Sequence, residues 1–166
     1  MTTSVWRIAH KNHATTAFNG EGSRYGSGKW QKNGKPIVYT SATLSLAALE
    51  LLVNMEVESV GNIFVSLRAD IPADMRIEKI DVHTLPANWR NIPAPRLLTN
   101  IGDQWLANQN TAILVVPSAL IAHENNFLIN PNHPDFARIV INPPQPFWLE
   151  PRKIKVPILS VNKPNF

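Results

Sequence analysis

Apolar and polar residues divide this chain into short elements with two different periods. Within Ser4 to Ala9, Trp6 and Ile8 fall on one face and Arg7 on the other, which predicts a first strand. A second apolar strand, Pro36 to Thr40, precedes a run of helical spacing. Leu44, Ala47, Ala48, Leu51, Leu52 and Met55 recur along one side, and Leu46, Leu49 and Val53 fill the other. This predicts a helix from Leu44 to Met55 that is apolar nearly all round, and therefore central and buried. Ser41 or Thr43 can cap its start. At about 100° per residue, Thr43, Glu50 and Asn54 share one narrow polar stripe on it. Further strands are predicted at Asn62 to Arg68 and at Arg76 to Val82; the latter sets Ile77, Ile80 and Val82 against Glu78, Lys79 and Asp81 with one slip. Leu98, Ile101, Trp105 and Leu106 suit a short amphipathic helix, and Ala112 to Val116 a buried strand ended by Pro117. Arg138 to Asn142 is predicted as a last core strand. Strands mixed with two or three helices make the fold class α+β.

Composition narrows this picture. The 166 residues suit one domain, and 44% hydrophobic against 17% charged residues excludes a disordered chain. There is no cysteine, so no disulfide or cysteine-rich zinc site holds the fold. No run reaches the ~18 apolar residues of a membrane span, and the N-terminus lacks a secretory layout, so the expected location is the cytoplasm. The net charge of +4 is a mild excess without a dense basic run. It fits an anionic ligand, an acidic partner or ordinary solubility. A nucleic-acid module is disfavoured, because the aromatics are scattered singly and form no strip with basic residues.

The segment from His10 to Lys35 holds five of the seven glycines and is expected to be loop. Glycines let backbone N–H groups approach a phosphate, and Arg24 and Lys29 add charge. The glycine spacing matches neither phosphate-loop nor dinucleotide-fold fingerprints. Arg7 has two readings, a surface charge or an inward anion ligand. Glu50, a carboxylate on an oily helix, is costly unless paired or hydrogen-bonded. It is a site residue, one half of a structural ion pair with Arg24 or Lys29 as partners, or part of a polar stripe at the domain surface. Ser118, just past the buried strand, faces a cleft or forms a turn, and Asn130 before a proline is a turn former or a ligand contact. His123 and His133 lack metal-ligand spacing, and no metal site is expected.

The chain resembles the RES-domain toxins, named for arginine, glutamate and serine. The resemblance spans Trp6-Arg7-Ile8 to Pro151-Arg152. Its marks are Gly28-Lys29-Trp30 with Gly34, Val38-Tyr39-Thr40-Ser41, Leu44 through Glu50, Val116-Pro117-Ser118-Ala119, Glu124-Asn125-Asn126, and Leu128-Ile129-Asn130-Pro131 with His133-Pro134-Asp135-Phe136. One departure is Lys29, where similar members usually carry arginine; lysine keeps the charge but lacks the planar fork. The resemblance implies a single RES domain over 1–166, with small mixed sheets and a few helices, related to the ADP-ribosyltransferase fold. It implies a toxin of a type II toxin–antitoxin system that destroys NAD⁺ by hydrolysis or phosphorolysis, some relatives modifying a protein instead. It further implies a cognate Xre-type antitoxin with a helix-turn-helix, through which alone the toxin meets DNA, in a hetero-oligomer.

Cleavage of the nicotinamide–ribose bond builds positive charge on the ribose. In this reading Glu50 steadies that charge, with Tyr39 and Ser118 as its catalytic companions. Arg7, Arg24, Lys29, Tyr39 and Asn130 are expected to hold the dinucleotide. NAD⁺ is substrate, and no cofactor or metal is expected. An ADP-ribosyltransferase acting on a protein, and an inactive homologue that works only within its antitoxin complex, are the competing readings.

Overall fold

The computed structural model describes residues 2–24, 28–32, 34–54 and 63–148. In chain order the elements are β1 (Thr3–His10), α1 (Glu21–Arg24), β2 (Val38–Ser41), α2 (Leu44–Asn54), β3 (Phe64–Ile71), β4 (Ile77–Lys79), α3 (Arg96–Asn108), β5 (Ile113–Pro117), β6 (Asn125–Ile129), β7 (Val140–Ile141) and β8 (Gln145–Phe147). The strands form one eight-stranded sheet in the order β4-β5-β6-β2-β1-β3-β7, with β8 also paired to β3. β4 and β5 run parallel, and the other described pairings are antiparallel. The fold is therefore α+β.

Alternation along the central strands sends side chains to opposite faces and splits the interior in two. On β5, Ile113 and Val115 join a core with Val5, Val38, Leu67 and Ile129. Leu114 and Val116 join a second core with Leu128 and the tryptophans Trp30, Trp89 and Trp105. All five residues of β5 are buried, as a continuous apolar run between two paired neighbours requires. The strand β6 carries only a three-residue apolar run after two asparagines, too short a pattern to predict an element. It is nevertheless central, because it pairs with both β2 and β5.

Three expectations change. α2 is a helix over the predicted positions up to Asn54, but among its residues only Leu46 and Ala47 are buried, and Val53 is 56% exposed. It lies over the sheet with one edge rather than at the centre. Met55 lies outside the described residues. The predicted last core strand shrinks to the exposed edge pair Val140 and Ile141, since Pro134 opens a 3₁₀ turn through Arg138 and prolines 143 and 144 follow. The glycine-rich segment is not a free loop either. It contains α1, and Trp30, Lys32 and Lys35 dock on α3. A Cβ at Gly102 would overlap the Trp30 carbonyl, so glycine permits that backbone contact. Lys32 N–H donates to Asp103 Oδ1 at 3.1 Å, and the ammonium groups of Lys32 and Lys35 lie 3.7 and 3.6 Å from Oδ2.

Candidate active site

The site begins where the sheet comes apart. β1 and β2 are paired at one position, Trp6 opposite Ser41. Beyond it the two strands diverge, and the Tyr39 carbonyl is left without a ladder partner on β1. The Arg7 guanidinium fills that place, with Nη1 donating to Tyr39 O at 2.9 Å. A cavity of about 340 Å³ opens here, bordered by Arg7, Tyr39, Ser41, Glu50, Asn54 and Asn126 among others.

Arg7 is an inward residue. Val5 and Ala9 pack into the first core, and a period of two puts Arg7 on their face rather than on a solvent face. Its Nε is buried and has no hydrogen-bond partner. Among the described residues no carboxylate comes within ion-pair distance of it. Burial pushes the guanidinium below its ordinary value.

Glu50 reaches the cavity from α2, which the Thr43 hydroxyl caps by accepting from Leu46 N–H at 3.1 Å. The polar stripe expected from helical spacing exists and faces β6. Thr43 Oγ1 donates to Glu124 Oε2 at 2.8 Å, and Asn126 Nδ2 donates to Glu50 Oε1 at 2.8 Å. Asn54 donates back to the Glu50 carbonyl and borders the cavity. Among the described residues the partner of Glu50 is thus a neutral amide, and Lys29, one of the two expected cations, does not pair with it. The side chain of Arg24 lies outside the described residues.

Tyr39 borders the cavity, and its hydroxyl donates to the Gln31 side-chain carbonyl. Burial raises the phenol well above its ordinary value, the hydrogen bond from the Trp30 backbone opposes this, and the charge of Asp103 adds to it. The phenol therefore stays protonated at neutral pH. Lys29 turns elsewhere: its ammonium donates to the carbonyls of Trp89, Arg90 and Asn91 at 3.3, 3.3 and 3.1 Å. Burial lowers its pKa, and the charge of Glu50 partly offsets that.

Ser118 and Asn130 do not border this cavity. Ser118 is fully buried, and its Oγ accepts from the N–H groups of Leu120 and Ile121 at 3.1 Å each. Its own N–H donates to Glu124 O at 2.9 Å, which closes the turn leading into β6. Asn130 is buried, and its Oδ1 accepts from Asn132 N–H at 3.0 Å. Both act here as the turn formers that their residue types and neighbouring prolines suggested. Asn126, by contrast, is marked in sequence only as part of Glu124-Asn125-Asn126 and given no role; its place depends on the β2–β6 register that sets it opposite Ser41.

The α+β fold has a solved counterpart. It matches a chain of the M. tuberculosis MbcT–MbcA toxin–antitoxin complex with a TM-score of 0.71, covering 92% of this chain and 86% of that one at 11% identity. The RES domain family matches residues 4–150. Toxin Res of Photorhabdus laumondii subsp. laumondii is 35% identical over 82% of this chain and 86% of its own length. The Prs ADP-ribosylating toxin of a Sphingobium species is 33% identical over 93% and 99%. Toxin Res of Yersinia enterocolitica is 32% identical over 89% and 97%. This chain belongs to the RES-domain toxin family.

Proposed function

We propose that this protein is the toxin of a toxin–antitoxin pair and that it depletes NAD⁺ by cleaving the nicotinamide–ribose bond, with water or phosphate as acceptor. The observation that carries the reading is the pairing of opposite charges across one cavity: a buried Arg7 with an unpartnered Nε, and a Glu50 carboxylate held by a neutral amide. Neither charge is neutralised by an ion pair among the described residues. A buried cation without an anion fits an incoming diphosphate, and a carboxylate with a free oxygen fits a ribose that becomes cationic. Tyr39, kept protonated, supplies a ring face for stacking. Lys29, Ser118 and Asn130 then serve the site from outside it by fixing the turns around it, and Arg24 is assigned to the diphosphate with Arg7. Nicotinamide is a good leaving group, so the reaction requires neither metal nor organic cofactor.

Purified protein incubated with NAD⁺, with and without phosphate, should release nicotinamide. Free ADP-ribose marks hydrolysis, and its phosphorylated counterpart marks phosphorolysis. Glu50→Gln should lower the rate at least about 100-fold, on the scale of a lost electrostatic stabiliser. A well-folded Glu50→Gln protein with unchanged turnover would end the proposal. The relative named an ADP-ribosylating toxin favours a second reading, transfer of ADP-ribose to a protein. Label from NAD⁺ then ends on protein. The fold shared with a toxin–antitoxin complex supports a partner antitoxin, which we take to be of the helix-turn-helix Xre type. It should co-purify with this chain and block NAD⁺ loss.

A further inference from the structure

We infer that Asn126, anchored by Ser41, is a positioning residue for the reaction: it holds one oxygen of Glu50 so that the other alone is presented to the cavity. The inference rests on the cleavage reading above. Asn126 sits in the middle of the sheet, its Cα opposite Ser41 on β2 and Val116 on β5. Its carboxamide is engaged at both ends. Oδ1 accepts from Ser41 Oγ at 2.9 Å, and Nδ2 donates to Glu50 Oε1 at 2.8 Å.

The chemistry fixes the direction of this relay. An ionised carboxylate only accepts, so the amide must turn its NH₂ toward Glu50. The Ser41 hydroxyl must then donate to the amide oxygen that remains. A flipped amide would set two acceptors against each other at hydrogen-bond distance. The carboxylate therefore selects the amide orientation, and the Ser41 hydroxyl, which can donate or accept, completes it by donating to Oδ1 and anchoring the amide to β2.

The geometry also answers a problem of reach. Glu50 is borne by a helix at the cavity margin, and three side-chain torsions separate its carboxylate from the backbone. A strand residue moves less than a helix side chain, because it is paired on both sides. Anchoring Oε1 to the sheet removes the rotational freedom that would blur where Oε2 meets the ribose. The other tie, Thr43 to Glu124, sits seven residues earlier on the helix and two earlier on the chain leading through β6, so the helix is clamped to the same strand segment. That second clamp lets the role of Asn126 be tested without releasing the helix.

Asn126→Ala should lower kcat roughly 10- to 100-fold, the scale of a misplaced catalytic group, with KM changed less than about threefold because the Arg7 grip is untouched. Asn126→Asp keeps the shape but removes the donor and faces one carboxylate with another. It should lose at least as much activity as Asn126→Ala, whereas a space-filling role would spare it. Ser41→Ala should cost less, and Ser41→Thr, which keeps the hydroxyl, should recover most of that loss. On a Glu50→Gln background, Asn126→Ala should add less than about a twofold effect, since its action runs through Glu50. Wild-type kcat in folded Asn126→Ala and Asn126→Asp proteins would overturn the inference, as would full additivity with Glu50→Gln. Should the wild-type protein bind NAD⁺ without cleaving it, the cleavage reading fails by itself. A crystal structure of Asn126→Ala then decides the inference separately: Glu50 in its original rotamer overturns it, and a displaced carboxylate supports the clamp.

Discussion

At the scale of single residues, the telling feature is how the buried polar groups are satisfied. Tyr39 and Gln31 pair side chain to side chain, and Gln31 is 1% exposed. Tyr39→Phe would leave the Gln31 oxygen without its donor, and we expect a loss of about 1–3 kcal/mol in chemical denaturation. Gly28 belongs to the same contact, because a Cβ there would overlap the Tyr39 hydroxyl. Arg7 shows the opposite economy, a buried donor left open. Arg7→Lys keeps the charge but loses the fork that, in the proposed function, would join the Tyr39 carbonyl to the diphosphate. We expect KM for NAD⁺ to rise about tenfold with little change in kcat, and to become steeper in salt; an unchanged KM would show that the diphosphate lies elsewhere. Lys29, the departure from the family pattern, has its ammonium on three carbonyls. Its charge was legible in sequence. Its direction was not, because the turn that supplies those carbonyls lies some sixty residues away.

Among the elements, α3 and the β1–β3 pair carry the clearest consequences. Gly102 lies inside α3, where alanine would gain about 1 kcal/mol of helix propensity. The overlap with the Trp30 carbonyl opposes that gain, and overpacking against backbone costs about 1–3 kcal/mol or more. Gly102→Ala is therefore expected to lower Tm and to loosen the backbone at Trp30; a raised Tm would show that this backbone shifts freely. At the other side of the sheet, Asp70 on β3 accepts from Ser4 Oγ at 2.7 Å, from Asn142 Nδ2 at 2.8 Å and from Arg68 at 3.1 Å. The hydrogen bond from Ser4, then that from Asn142, hold its carboxyl below the usual range, burial works against them, and Arg68 adds to the lowering. A carboxylate whose folded pKa is depressed stabilises the fold above its unfolded value and loses that contribution as pH falls through the folded one. Asp70→Asn should thus be less stable than wild type at pH 7, and the gap should close below about pH 4. Urea midpoints at both pH values would check this; a constant gap would assign the effect to packing.

For the molecule as a whole, one sheet is shared by two cores, one on each face of its central strands. Three of the five tryptophans lie in one core, so their fluorescence reports on that face, while far-UV circular dichroism reports on all strands. The two signals should give coincident urea transitions if the chain unfolds as one unit. Separate midpoints would divide it at the sheet. None of the described helices is long and apolar enough to cross a membrane.

Local pattern carried much of this protein. The helical period of residues 44–54, the continuous apolar run of β5 and the amphipathic spacing of α3 are each written within a dozen residues, where burial of one face dictates the element. The stripe of Thr43, Glu50 and Asn54 was equally local, and it pointed at the cavity before any partner was known. What pattern left open was every relation across long chain distances. Whether Arg7 turns in or out depends on Val5 and Ala9 claiming the core face of β1. The partner of Glu50 depends on a strand register 76 residues away. The importance of β6 depends on its two neighbours, not on its own three apolar residues. Such relations are decided by which strands pair and where the pairing stops. At the single Trp6–Ser41 contact it stops early, and the opening that follows holds the site.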